Sequence, residues 1–164
     1  MSTQIPDTRP TDLTGGCQCG AVRFRARLLG RGSICHCRMC QKAFGGFFGP
    51  LVTAHDATWT RGQPKWFQSS NRARRAFCGD CGTPLAYETV YGLELAIGAF
   101  DDPEQAAPVI QVNPADKLSF FDHLTELPMR ADTDDWRDFM AGIHSNQHPD
   151  HDTVNWPQKS EGQS

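Results

Sequence analysis

The sequence predicts a mainly β fold, a compact antiparallel domain closed by a short C-terminal helix. Three observations predict it. Short apolar segments rich in β-branched and aromatic residues recur between turn signals such as Arg61-Gly62, Tyr91-Gly92 and Asp101-Asp102-Pro103. Seven cysteines fall in three tight clusters, Cys17-x-Cys19, Cys35-x-Cys37-x-x-Cys40 and Cys78-x-x-Cys81. With 164 residues and 38% hydrophobic content, the chain has material for one core and little more.

Each element has its own signal. Residues 1–12 are polar and carry Pro6 and Pro10, which reads as a flexible leader before a domain spanning residues 13–143. Residues 21–28 alternate, with Val22, Phe24, Ala26 and Leu28 on one face and Arg23, Arg25 and Arg27 on the other. That pattern predicts a half-buried strand with a solvated basic face. Arg38 to Phe44 reads as a short helix after Cys37, stopped by Gly45 and Gly46, whose first N–H groups face the neighbouring thiols. Residues 47–53, 65–69, 74–77, 84–89, 94–99 and 109–112 read as strands, with 118–122 as a further one.

After Asp132 to Asp135, the apolar residues Trp136, Phe139, Met140 and Ile143 stand at i, i+3, i+4 and i+7. They predict an amphipathic helix packed against the sheet. Residues 144–164 are polar and read as a disordered tail, with His144, His148 and His151 as solvent-exposed bystanders.

The charge balance excludes several classes. Sixteen Lys and Arg against nineteen Asp and Glu give a net charge of −3, so a phosphate-neutralising nucleic-acid binder is not expected. No run reaches the ~18 apolar residues of a membrane span. The first residues lack the basic-then-apolar pattern of a secretory signal. The expectation is a soluble cytoplasmic protein with neither nucleic acid nor membrane as partner.

The cysteines point to metal. An odd number cannot pair completely as disulfides, and sulfurs this close in sequence converge more readily on one ion than on each other. Thiolate clusters of this kind favour zinc. Cys35, Cys37 and Cys40 can meet on one ion unaided, which leaves Cys17, Cys19, Cys78 and Cys81 as a closed four-sulfur set. The expected cofactor is therefore two zinc ions per chain. Two alternatives remain open at this stage. A fourth ligand, His36, His55 or His123, would close the three-cysteine site. A different division would pair Cys35 and Cys37 with Cys78 and Cys81.

The runs Gly15-Gly16-Cys17-Gln18-Cys19-Gly20-Ala21-Val22, Cys35-His36-Cys37-Arg38-Met39-Cys40-Gln41-Lys42 and Phe77-Cys78-Gly79-Asp80-Cys81-Gly82-Thr83-Pro84-Leu85 carry a specific resemblance. Together with Ile97-Gly98-Ala99-Phe100-Asp101-Asp102-Pro103, they resemble the glutathione-dependent formaldehyde-activating enzymes. The resemblance implies an Mss4-like zinc-binding fold, a structural zinc on Cys17, Cys19, Cys78 and Cys81, and a catalytic zinc on Cys35, Cys37 and Cys40. It also implies carbon–sulfur lyase chemistry, in which a thiol such as glutathione adds to, or leaves, a small aldehyde such as formaldehyde. Candidate substrate contacts are Phe44 and Phe47 after the second cluster and Arg74 before the third. Arg72, Arg75, Lys42 and Lys65 are further cations within reach of the clusters. The alternative reading is a non-catalytic module of the same fold, in which zinc serves only as a staple.

Overall fold

The computed structural model describes residues 8–155. Eight strands form one sheet: β1 (Arg9–Gly16), β2 (Arg23–Cys35), β3 (Gly49–Arg61), β4 (Lys65–Ser70), β5 (Ala73–Phe77), β6 (Pro84–Thr89), β7 (Gly92–Ala96) and β8 (Ile110–Val112). Their order is β1-β2-β3-β7-β6-β5-β4, with β8 added beside the far end of β2. Every pairing is antiparallel except β2 with β8, where Ser33, Ile34 and Cys35 lie beside Ile110, Gln111 and Val112. Among the described residues two α-helices complete the fold, α1 (Arg38–Phe44) between β2 and β3 and α2 (Asp134–Ala141) after β8, together with short 3₁₀ turns.

The long β2–β3 pair is interrupted by several register shifts between Arg23 and Gly32. Such irregularities bend a strand and increase its twist. The core fills the resulting curve with Phe24, Leu29, Val52, Leu85, Leu95 and Phe100. Phe24 stands edge-on to both Phe100 and Trp59, at 5.0 and 6.0 Å between centroids.

Helix α1 matches the sequence expectation at both ends. Cys37 is its N-cap, and Gly45 ends it in a left-handed conformation (φ 61°). It seats on β3 where Gly49 lacks a side chain. A β-carbon there would stand 2.8 Å from that of Cys40. Glycine at 49 thus lets Cys40 reach the sheet.

Four expectations need correction. The leader does not extend to residue 12: β1 begins at Arg9, with Arg9 opposite Leu29 and Pro10 opposite Leu28. β1 is an edge strand, where proline's missing N–H is tolerated and polar residues face solvent. Residues 1–7 of the predicted leader lie outside the described residues. Residues 118–122 are not a strand; the chain turns there and enters a 3₁₀ helix, Phe121–Glu126, because its aromatics pack on other rings. Helix α2 does not pack on the sheet. It buries no residue, its Trp136 stacks on Phe139, and Phe139, Met140 and Ile143 are exposed.

The fourth correction joins the basic strand face to the tail. Arg23 is only 3% exposed. Asp101 meets it at 2.5 Å from one side, and Asp152, in the segment expected to be disordered, meets it at 2.8 Å from the other. His148 is likewise buried: its N–H donates to the Gln18 carbonyl at 2.8 Å, and its ring contacts Arg61 and Thr153. A buried guanidinium needs counterions, and residues 148–153 bring one back to it. Residues 156–164 of the predicted tail lie outside the described residues.

Burial pushes the Asp101 carboxyl up, but Arg23 and the Thr14 hydroxyl, 2.5 Å away, outweigh it and hold the group below its ordinary range. Asp101→Ala is expected to cost about 1.5–3 kcal/mol at neutral pH, because it removes charge-assisted hydrogen bonds from a buried guanidinium that keeps Asp152 as its remaining counterion. A folded-state value below the unfolded one means this stability is fully present above about pH 4. It is lost as acid carries the protein through the depressed value. Urea melts of wild type and variant across pH should therefore converge at low pH.

Candidate metal centres

Four sulfurs meet where two hairpin turns touch. Cys17 and Cys19 sit in the turn between β1 and β2, and Cys78 and Cys81 in the turn between β5 and β6. β3 and β7 separate β2 from β6 in the sheet order, so the sheet must curl to bring these turns together. Cys17 and Cys19 sulfurs are 3.6 Å apart, and Cys19 and Cys78 sulfurs 3.8 Å apart. A tetrahedral ion with zinc–sulfur bonds of ~2.3 Å sets its sulfurs about 3.8 Å from one another.

Each turn also supplies donors to its sulfurs. The Val22 N–H lies 3.3 Å from Cys17 Sγ, the Asp80 N–H 3.4 Å from Cys78 Sγ, and the Thr83 hydroxyl 3.2 Å from Cys81 Sγ. Burial pushes the Cys17 and Cys19 thiols up. Cys81 is also raised by burial, but the Thr83 hydroxyl and backbone N–H groups bring it down to about 6. These sulfurs fit a soft divalent cation, which would replace the protons that burial otherwise holds on Cys17 and Cys19.

The other three sulfurs gather at the junction of β2, α1, β5 and β8. Cys35 ends β2, Cys37 caps α1, and Cys40 lies in its first turn. Their sulfurs all lie within 4.8 Å of one another. Cys40 is buried, whereas Cys35 and Cys37 are half-buried. Every sulfur has its own N–H donor: Asn113 Nδ2 to Cys35 at 3.4 Å, the Cys40 backbone to Cys37 at 3.4 Å, and Arg75 NH2 to Cys40 at 3.2 Å. Hydrogen bonding to Cys40 pulls the Cys35 thiol down to about 5; Cys40 is pushed up by that same contact and by burial.

Both groups can hold a metal ion, and they divide as the spacing predicts. The alternative division is not what the fold assembles. Nor does any fourth His, Cys, Asp or Glu donor join the three-cysteine group among the described residues. His36 turns its buried ring away. Its Nε2 lies 2.9 Å from Gln111 Oε1, and the ring meets Phe121 edge-on at 4.7 Å. His55 is exposed on β3, and exposed His123 pairs with Glu126.

Among the expected substrate contacts, the strand faces decide. Arg74 points away from the cysteines, pairing with Glu88 and lying 4.2 Å over Trp66. Its neighbour Arg75 takes the inward position, as the period of two in a strand requires. Arg75 is 8% exposed; its Nε donates to Ser69 at 3.1 Å, and its guanidinium lies 4.7 Å over Tyr87. Its NH1 is buried without a hydrogen-bond partner, and its charge also acts on the Glu94 carboxyl, which burial pushes up. Phe44 lines a cavity together with Arg75, whereas Phe47 pairs edge-on with Phe120 at 5.0 Å.

No sequence signal singles out Asn113. It is the one non-glycine residue with positive φ among the described residues (φ 53°), and this backbone directs its amide to Cys35. Asn113→Gly keeps the backbone permissive and removes the donor. It is expected to weaken metal retention at the three-cysteine site about 10-fold in a chelator competition, the lower end for loss of an outer partner.

Among the described residues, no helix is long and apolar enough to cross a membrane. No curated protein matches the chain. Among solved structures, a Rhodobacter sphaeroides structural genomics target is similar, with 20% identity and a TM-score of 0.48 over 60% of this chain and 99% of the other. The family model of the glutathione-dependent formaldehyde-activating enzymes matches residues 12–115, a stretch that contains all seven cysteines. With both sulfur groups and the strands that carry them inside that match, the chain belongs to the glutathione-dependent formaldehyde-activating enzyme family.

Proposed function

We propose that the protein is a zinc-dependent carbon–sulfur lyase that adds a carboxylate-bearing thiol such as glutathione to an aldehyde, or releases it. The observation that carries this reading is the group of three sulfurs with no fourth protein donor among the described residues. Cys35, Cys37 and Cys40 would hold the zinc, while Cys17, Cys19, Cys78 and Cys81 would hold a structural ion. When bound at the three-cysteine site, zinc keeps a thiol ionised at neutral pH, where a free thiol is only a few per cent thiolate.

The surrounding side chains fit that task. Asn113 and Arg75 hold Cys35 and Cys40 in place, and the positive charge of Arg75 offsets part of the thiolate charge. A cavity of about 390 Å³ opens beside Arg75 and is lined by Arg38, Lys42, Met39 and Phe67. Its three cations suit the carboxylates of a peptide-like thiol. The sulfur–carbon bond forms as the carbonyl electron pair moves to oxygen, and the thiol's proton ends on that oxygen.

Cobalt reconstitution tests the reading. Glutathione should alter the thiolate-to-cobalt charge-transfer absorption of the wild type, and of Cys78-site variants only where the fold survives. An unchanged spectrum at millimolar thiol would make both ions structural and the protein a non-catalytic module.

A further inference from the structure

A second cavity leads away from Arg75 in a different chemical character. It holds about 270 Å³ between the C-terminal end of α1 and strands β4 to β6. Ala43, Phe44, Phe67, Phe77, Pro84 and Ala86 wall it, and Arg75 is the only charged residue on its lining. The two cavities share Ala43, Phe67 and Arg75. Arg75 is also the side chain that reaches Cys40 Sγ at 3.2 Å. A cationic cavity and an apolar one therefore converge on the same guanidinium, one side chain from the three sulfurs.

We propose that the apolar cavity houses the hydrocarbon chain of the electrophile, so that this protein acts on aliphatic aldehydes of several carbons rather than on formaldehyde alone. This rests on the thiol-addition reading above and extends it to the second substrate. Size argues for it. A one-carbon aldehyde fills little more than the ~30 Å³ share of a water molecule and would leave most of the cavity idle. Surface chemistry argues for it too. Phe67, at the lip of both cavities, is 62% exposed, and Met39 beside the cationic one is 56% exposed. Large apolar side chains left in water at the edge of a cavity gain most from an apolar ligand. The balance of the reaction is unchanged: thiol and aldehyde combine into a hemithioacetal that retains every atom of both.

The zinc-loaded protein, assayed with glutathione against propanal, butanal, pentanal and hexanal, tests this. These aldehydes differ little in intrinsic reactivity. The expected kcat/KM rises about fourfold per added methylene, as full burial of each would give. Ala43→Leu fills the shared wall with a good helix former, and Phe67→Ala removes the lip from an exposed site. Both are expected to flatten the rise while keeping the wild-type melt. Calorimetric binding of unreactive hexanamide over propanamide should follow the same order and weaken in both variants. A flat chain-length series in a protein that does turn over formaldehyde overturns the apolar cavity's role and leaves the lyase reading standing. Absence of turnover with every aldehyde, together with a cobalt spectrum indifferent to thiol, brings down both.

Discussion

Cys78→Ser is expected to leave a chain with no cooperative melt and with no metal ion retained by the four-sulfur group. Cys78 is 1% exposed, and its sulfur stands 3.8 Å from that of Cys19, across the seam where the curled sheet meets itself. Besides the sulfurs, the two turns share the Gln18 N–H bond to the Thr83 hydroxyl at 3.0 Å, which is far weaker than a metal cross-link. A structural zinc site contributes roughly 10–16 kcal/mol of apparent binding energy to folding. The net stability of a domain is only about 5–15 kcal/mol. Removing one ligand therefore threatens the whole balance. Far-UV circular dichroism during heating, with zinc content measured on the same sample, checks it. A sharp transition with full zinc content would show that the four sulfurs are not what closes the fold.

Cys37→Ser is expected to give the opposite profile: loss of the proposed carbon–sulfur activity beyond the roughly 100-fold that removal of an outer metal partner costs, with a melt close to wild type. Cys37 is the better choice of the three. Cys40 is buried and receives the Arg75 guanidinium, so its replacement also strands a buried cation. Cys35 ends β2 beside β8 and takes the Asn113 amide. Cys37 is half-buried at the helix cap, where serine still accepts from the backbone and preserves α1. Activity and thermal unfolding, followed side by side, decide it. Equal collapse of both in Cys37→Ser and Cys78→Ser would mean that the two sulfur groups do the same structural work.

The local features of this protein are readable in the sequence because their causes are local. Cysteines within a few residues of one another declare their own grouping, Cys37 and Gly45 bound α1 where expected, and the turn residues separate strands β4 to β6. What escaped reading has distant causes. The inward side of β5 belongs to Arg75 rather than Arg74, because the pairing of Arg75 with Phe67 and Tyr87 fixes which face each presents. Arg23 looked like one of three solvated arginines, yet its carboxylate partners lie 78 and 129 residues away in sequence. Asn113 depends on the parallel addition of β8 to β2, a pairing no alternation pattern announces. The strand missed at Arg9 carries few apolar residues because only one side of an edge strand meets the core.

The contact between Arg23 and Asp152 bears on how the chain is made. During synthesis, β1 and β2 can pair around Arg23 well before Asp152, 129 residues further along the chain, has left the ribosome. A nascent chain therefore carries an incompletely neutralised arginine in the β1–β2 hairpin until residue 152 has been made and folded back. A stalled or prematurely ended polypeptide would lack that closing charge and should be the form that cellular proteases remove first.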